Sequence, residues 1–121
     1  VLGLLPRDKV LKLLTETNVL VLPSAFETFG IVCIEAMAVG RPVICTRNGS
    51  ADFVNESNGI LIDVDSDDQL IGAMEKMYRN YSEYDQKLIS ENCVKTYSGS
   101  SVMSKVMSEM DMLNLNNKVA V

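Results

Sequence analysis

Histidine is absent from the 121 residues of this chain. Without it, the chain has no Ser-His or Cys-His catalytic pair and no histidine-ligated zinc site of its own. Only three cysteines occur, Cys33, Cys45 and Cys93, and their odd number and wide spacing fit neither a disulfide framework nor a metal knuckle. We therefore expect buried, reduced thiols of the kind found in cytoplasmic proteins.

Basic charge is also scarce, since 11 Lys and Arg face 16 Asp and Glu for a net charge of −5. This balance argues against nucleic acid as a partner, because such binding depends on clustered cations. The sequence has no apolar run of membrane-spanning length and no signal peptide. With 47% hydrophobic and 22% charged residues, it predicts one globular domain. Because the chain begins with Val1, we expect a fragment.

Short apolar runs alternate with segments of helical spacing in the first half of the chain. Strands are predicted at the end of residues 1–5 and at residues 19–22, 42–45 and 60–62, with helices at 8–17 and 29–39. This alternation is typical of an α/β fold with a parallel sheet. Such sheets bind ligands beyond the carboxyl ends of their strands, which directs attention to the turn at residues 24–28.

The second half is predicted to be helical. Ser66 and Gln69 form a capping-box pattern at the start of one helix, a second helix spans 82–96, and a third begins near Ser100. Their spacing predicts that these side chains face the core: Leu70, Ala73, Met74, Met77 and Tyr78; Tyr84, Leu88 and Cys93; Met103, Val106, Met107, Met110 and Leu113.

Glu35 is the only polar side chain in the apolar segment 29–39. A helix that is apolar all round is buried, and an unpaired ion there costs several kcal/mol. One interpretation is a salt bridge, with Arg41 as the obvious partner. The other is that Glu35 faces a ligand cleft and accepts hydrogen bonds from hydroxyl groups.

The start of this helix points to an anion. Thr28 is the predicted N-cap, and Gly30 then lies in the first turn, where a glycine allows close approach to the backbone. The free amides of Gly30 and Ile31 suit a phosphate, and Glu27 lies just before them. Amides and a carboxylate at one helix end suit a ligand with both hydroxyls and phosphate.

These residues resemble a known family. Residues 23–31 (PSAFETFGI), then 35–38 (EAMA) and 40–44 (GRPVI), are similar to the donor-site signature of group 1 (family 4) glycosyltransferases. Glu27 and Glu35 match the two acids of the family's Glu-x7-Glu motif, and the similarity extends through residues 58–62, 67–80 and 97–98. The resemblance implies a partial Rossmann-like domain over residues 1–121, with three to four short parallel strands and a helical C-terminal segment. It would be the donor-binding half of a GT-B enzyme.

The resemblance also implies roles for residues. Glu27, the residue assigned to the catalytic position, would sit at the donor sugar and hold its hydroxyls, and Glu35 would bind the ribose of a nucleoside diphosphate sugar. Backbone amides of residues 29–31 would contact the sugar or the distal phosphate, and residues 3–5 would lie by the nucleobase. The other implied donor-binding positions are Thr28, Phe29, Gly30, Ile31, Gly3, Leu4 and Leu5. No metal and no cofactor is implied.

The implied reaction is retaining glycosyl transfer to a glycan or lipid-linked acceptor, in polysaccharide synthesis at a cytoplasmic location, peripheral at the membrane in the parent protein. The isolated fragment is expected to be inactive, because the partner acceptor domain and the family's diphosphate-binding Arg and Lys have no counterpart in it. Arg7, Lys9, Arg41 and Arg47 are interpreted as solvated surface charges. A second departure is Gly49-Ser50, with Asp52 near the place of the family's acid, where the family often has Gly-Gly and then the acid.

Two other hypotheses are a non-catalytic sugar-nucleotide or protein-binding module, and a phosphorylase-like or receiver-like domain that would leave the spacing of Glu27 and Glu35 unexplained. We also expect self-association as a homodimer. It would use an unpaired strand edge or an unmatched methionine stripe on the last helix.

Overall fold

The computed structural model of the chain describes residues 2–25, 30–48 and 51–114. Within these residues, five α-helices flank three strands. In chain order the elements are α1 (Arg7–Glu16), β1 (Leu20–Leu22), α2 (Ile31–Ala38), β2 (Val43–Thr46), a 3-10 turn (Ala51–Phe53), β3 (Gly59–Ile62), α3 (Asp67–Asn80), a second 3-10 turn (Tyr81–Glu83), α4 (Gln86–Tyr97) and α5 (Ser101–Met112).

The strands form one parallel sheet in the order β1-β2-β3. In its register Leu20 lies opposite Val43, and Val43 lies opposite Gly59. The three strands are short and apolar, and β2 in the middle of the sheet is buried along its whole length, whereas β1 and β3 are only partly buried. The predicted α/β class with a Rossmann-like parallel sheet and a helical C-terminal segment is confirmed.

The strand predicted at the end of residues 1–5 is wrong, because residues 2–5 carry no strand. Leu4 is fully exposed, and Gly3 has a left-handed backbone with φ of 69°. A strand needs a hydrogen-bonded neighbour, and no described strand lies beside this segment.

One face of the sheet packs against a large hydrophobic core under α1, α2, α4 and α5. Val43 and Cys45 point into it from β2, alternating with Ile44, which points to the other face. The buried residues of this large core are Leu11, Leu14, Cys33, Ile34, Ala36, Met37, Ala38, Val39, Val43, Cys45, Val54, Ile89, Cys93, Met103, Val106 and Met110. All three cysteines are buried, as predicted, and none of them forms a disulfide within the described residues.

The other face carries a small core of Ile44, Ile62, Ala73 and Met77 beneath α3. Two residues of α3 that were predicted to face the core are exposed: Met74, and Tyr78 with an exposed fraction of 87%. They border an apolar groove of about 360 Å³ beside β1. Helical spacing placed them correctly on one side of α3, but no described element covers that side next to β1.

The helix starts agree with the capping pattern in part. Ser66 Oγ accepts a hydrogen bond from the Gln69 amide, whereas the Gln69 side chain turns to Asp63 instead of returning to the cap. The helix predicted from residue 82 begins at Gln86 as α4, and Asp85 is its N-cap. Leu88, predicted to face inward, is exposed.

The methionine stripe of α5 is covered within the chain. Met103, Val106 and Met110 are all buried in the large core. The expectation that these methionines lack a packing partner is therefore wrong. β1, in contrast, lies at the edge of the described sheet, as predicted.

Candidate functional site

α2 begins two residues later than the sequence predicted. Gly30, not Thr28, is the N-cap, and its φ of 58° is left-handed, which favours glycine. A Cβ at this position would lie 3.3 Å from Cζ of Phe53. The group that approaches Gly30 closely within the described residues is therefore an aromatic ring of the chain itself.

Ile31 is the first residue of α2 and is partly exposed. The Cys33 and Ile34 amides donate to the Gly30 carbonyl at 2.8 and 3.2 Å. The amides of Ile31 and Val32 precede them and have no carbonyl within α2 to bond. The sequence analysis named the amides of Gly30 and Ile31 as an anion site, and with Gly30 as N-cap the first amides of α2 are those of Ile31 and Val32; anion binding there stays a prediction.

Glu35 is buried in the middle of α2, with an exposed fraction of 5%. Arg7 Nη2 lies 2.8 Å from Glu35 Oε1, so the carboxylate has an ionic partner. That partner was predicted to be Arg41, which is wrong. Arg7 Nη2 is buried and has no hydrogen-bond partner within residues 2–25, 30–48 and 51–114. Its contact with Glu35 is therefore an ion pair that lacks the geometry of a hydrogen bond.

Arg7 also reaches α5. Its Nε donates a hydrogen bond to Glu109 Oε2 at 3.1 Å. One guanidinium from the first residue of α1 thus lies between a carboxylate of α2 and a carboxylate of α5. The interpretation of Arg7 as a solvated surface charge is wrong, since it links three helices at the predicted site.

The pKa of Glu35 reflects this setting. Burial raises the pKa of Glu35 above its usual value, the Arg7 charge opposes this rise, and the nearby Glu109 charge adds to it. Glu35 therefore takes up a proton more readily than an exposed glutamate. Arg7 is the group that favours its ionised form.

Arg41 is buried and holds helix ends together. Its Nε and Nη2 donate to the carbonyl oxygens of Leu14 and Thr15 at 3.1 and 2.7 Å, and its Nη1 donates to Gln86 Oε1 at 2.7 Å. These bonds satisfy orphan carbonyls at the end of α1. The prediction of Arg41 as a solvated charge is wrong, whereas Lys9 and Arg47 are exposed as predicted.

The remaining predicted site residues divide into two groups. Gly3, Leu4 and Leu5 lie just before α1, and Leu4 is fully exposed. Three further predicted residues lie outside the described residues: Glu27, Thr28 and Phe29.

Two further cavities lie away from Glu35. One of about 570 Å³ runs beside β3 and has a polar lining that includes Arg47, Glu56, Lys76 and Glu83. The other, of about 250 Å³, lies between the first 3-10 turn and α4. Glu35 lines neither of these cavities, nor the apolar groove beside β1.

Sequence comparison decides the family. The sequence model of the family described as "Glycosyl transferases group 1" matches residues 1–93. The chain belongs to this family. Members transfer glycosyl groups, which fits an α/β domain with a buried acid near a helix start. The matched range contains α1 to α3 and most of α4 of this group 1 glycosyltransferase chain, and α5 lies beyond it.

Similar proteins carry glycosyltransferase names. The chain is 28% identical over 111 residues to an uncharacterized glycosyltransferase of Methanocaldococcus jannaschii, covering 88% of this chain and 28% of that protein. It is 28% identical over 108 residues to a D-inositol 3-phosphate glycosyltransferase of Corynebacterium urealyticum, covering 76% and 26%. It is 37% identical over 65 residues to sucrose-phosphate synthase 4 of Arabidopsis thaliana, covering 52% and 6%.

The chain thus spans little more than a quarter of the first two relatives. Within the described residues, no helix has the length and apolar character needed to cross a membrane.

Proposed function

We propose that this chain is the donor-binding part of a retaining glycosyltransferase and binds a nucleoside diphosphate sugar at the amino end of α2. The observation that carries the proposal is a buried carboxylate, Glu35, one turn inside a helix whose first amides have no partner in that helix. Family membership supports it, and by the resemblance of residues 27–35 to the family motif Glu35 would be its second acid.

Glu35 can bind a ribose while it remains paired. Arg7 lies at Oε1, which leaves the second carboxylate oxygen outside this ion pair. A carboxylate accepts several hydrogen bonds, so Oε2 remains able to accept from a ligand hydroxyl. The two expectations for Glu35, an ion pair and a ligand contact, are therefore compatible.

The helix start supplies the second half of the proposed site. Breaking the bond between the sugar and the nucleotide leaves negative charge on the diphosphate, and oriented amides stabilise such charge. The amides of Ile31 and Val32 suit this task, and Glu27 would hold the sugar hydroxyls. Leu4 and Leu5 would lie near the base.

The wider reaction is part of the proposal. Transfer would proceed with retention to a glycan or lipid-linked acceptor, in polysaccharide synthesis at the cytoplasmic side of a membrane. An acceptor domain and the family's Arg and Lys would come from elsewhere in the full protein. The 121-residue chain alone is expected to bind a donor without turning it over.

Substitution of the buried acid tests the proposal. Glu35→Ala should weaken the binding of a nucleoside diphosphate about 10-fold or more, because a hydrogen bond to a charged group contributes about 1.5–3 kcal/mol. The measurement is calorimetric titration of the chain with UDP, GDP and ADP in turn, with circular dichroism to establish folding. Glu75→Ala is the matched control, since Glu75 is exposed on α3. Equal affinity for the wild type and Glu35→Ala would remove Glu35 from the site.

A further inference from the structure

We propose that Arg7 is a positioning residue for Glu35, and that Glu109 holds Arg7 in place, so that the orientation of the Glu35 carboxylate depends on the docking of α5. The inference rests on the proposed function of Glu35 as a ligand-binding acid. It adds a dependence on a helix that lies outside the range matched by the family.

The geometry needs an arginine. Nη2 of Arg7 lies 2.8 Å from Glu35 Oε1, and Nε of the same guanidinium lies 3.1 Å from Glu109 Oε2. The flat, forked guanidinium presents separate nitrogens to the two carboxylates, whereas a lysine has one nitrogen and cannot take both positions. Arg7 and Glu109 are 102 positions apart, so the pairing forms only when α1 and α5 pack against α2.

The location of Arg7 indicates that its charge serves a purpose other than helix stability. It is the first residue of α1, and a cation at this end opposes the helix dipole. Glu35 and Glu109 supply the compensating negative charge. Arg7 is also partly exposed, so that without Glu109 its side chain could turn towards solvent and leave Glu35.

α5 is anchored independently of this contact. Met103, Val106 and Met110 are buried in the large core. Glu109 is therefore held beside Arg7 by a packed helix, and movement of α5 would break the contact between Glu109 and Arg7. Arg7 would then be free to leave Glu35, which would stay buried without its counter-ion.

Two accounts of Glu109 make opposite predictions. If Glu109 acts only as a nearby negative charge, its removal lowers the pKa of Glu35, because that charge raises it. If Glu109 holds Arg7 in place, its removal releases Arg7, and the pKa of Glu35 rises because burial then acts unopposed. The sign of the change separates the two accounts without any ligand.

The first experiment measures that sign. The 121-residue chain is labelled at glutamate side chains with 13C, and the Glu35 carboxyl is assigned with Glu35→Gln and titrated by NMR. We expect the midpoint to rise in Arg7→Met and, by less, in Glu109→Gln. Arg7→Lys should recover only part of the Arg7→Met shift. Glu91→Gln is the control, because Glu91 pairs on the surface with Lys87 within α4. A lower midpoint in Glu109→Gln would overturn the proposal.

The second experiment measures ligand binding, with the nucleoside diphosphate that the wild type binds best among UDP, GDP and ADP. We expect affinity to fall about 10-fold in Arg7→Met and about 3-fold in Glu109→Gln, with no change in Glu91→Gln. Wild-type binding that is lost in Glu35→Ala but unchanged in Arg7→Met and Glu109→Gln would refute the positioning role and leave the proposed function intact. If no diphosphate binds the wild type, the proposed function fails for this chain, and the carboxyl titration still decides whether Arg7 and Glu109 control Glu35.

Discussion

The face of the sheet beneath α1, α2, α4 and α5 differs sharply from the face beneath α3. The first buries sixteen residues in the large core, while the second buries four, so the described chain holds most of its packed interior on one side. Glu35, Arg7 and Glu109 all belong to helices of the heavily packed side. The described part of the candidate site therefore lies on the more densely packed side of the sheet.

The thinly covered face has a different character. Its groove beside β1 is lined mainly by apolar side chains, which are Val19, Val21, Ile44, Met74, Met77, Tyr78 and Tyr81, together with Asn18. Exposed apolar surface next to a sheet edge favours association. We therefore expect substitutions on the heavily packed face to change the free energy of unfolding. Substitutions on the face beneath α3 should instead change self-association of the chain.

The largest expected effect is at Gly59, on the heavily packed side. A Cβ there would lie 2.3 Å from the carbonyl oxygen of Val43 and 3.0 Å from Val54 Cγ1. Gly59→Ala should lower the free energy of unfolding by more than about 4 kcal/mol, since backbone and core must both shift. Urea denaturation measures the change.

Gly72 on α3 provides the matched control for this substitution. No atom lies within 4 Å of a Cβ at this helical glycine. Gly72→Ala should therefore raise the free energy of unfolding by about 0.5–1 kcal/mol. If Gly72→Ala lowered the free energy of unfolding as much as Gly59→Ala, the two faces would not differ in packing.

Two methionines compare the cores directly. Met37 is 2% exposed in the large core, and Met77 is 3% exposed in the small core. Met37→Ala should cost about 3–4 kcal/mol and Met77→Ala about 2 kcal/mol, because the thin cover of α3 can relax into the space left behind. The two variants are compared by denaturation under identical conditions. Equal losses would contradict the inferred difference in packing.

The smallest effect on stability is expected at the groove. Val21 on β1 is 36% exposed, so Val21→Lys should change the free energy of unfolding by less than about 1 kcal/mol. The same charge should suppress the self-association that we propose for the β1 edge, as lysines do on natural edge strands.

Sedimentation over a range of concentrations measures this association. Val64→Lys is the control, because Val64 is 37% exposed away from the groove. A wild-type chain that stays monomeric at high concentration, or equal association in both variants, would be evidence against the groove as a contact surface.

Local sequence patterns predicted the strands and helices of this chain well, because buried strands and helical spacing leave direct traces in the order of residues. The burial of Glu35 was predictable in the same way, from the apolar residues around it. Its partner was not, because the sequence pointed to Arg41, and only the packing of α1 on α2 selects Arg7.

Errors occurred where a neighbour from another element decides the outcome. Tyr78 has the correct helical phase but lies where no described element covers α3. Residues 2–5 have strand-like composition but no strand beside them. Arg41 is buried because the ends of α1 and α4 offer it three acceptors, and no pattern around residue 41 reveals them.

The ring of Phe53 against Gly30 limits which replacements positions 30 and 53 can accept together. A smaller side chain at 53 would make room for a methyl group at 30, but the left-handed backbone would still penalise alanine there by about 1 kcal/mol. Asparagine or aspartate tolerates that backbone better. In a combinatorial library at the two positions, glycine should therefore be recovered at position 30 whenever the side chain at position 53 is bulky. Asparagine or aspartate should be recovered at position 30 only when the side chain at position 53 is short.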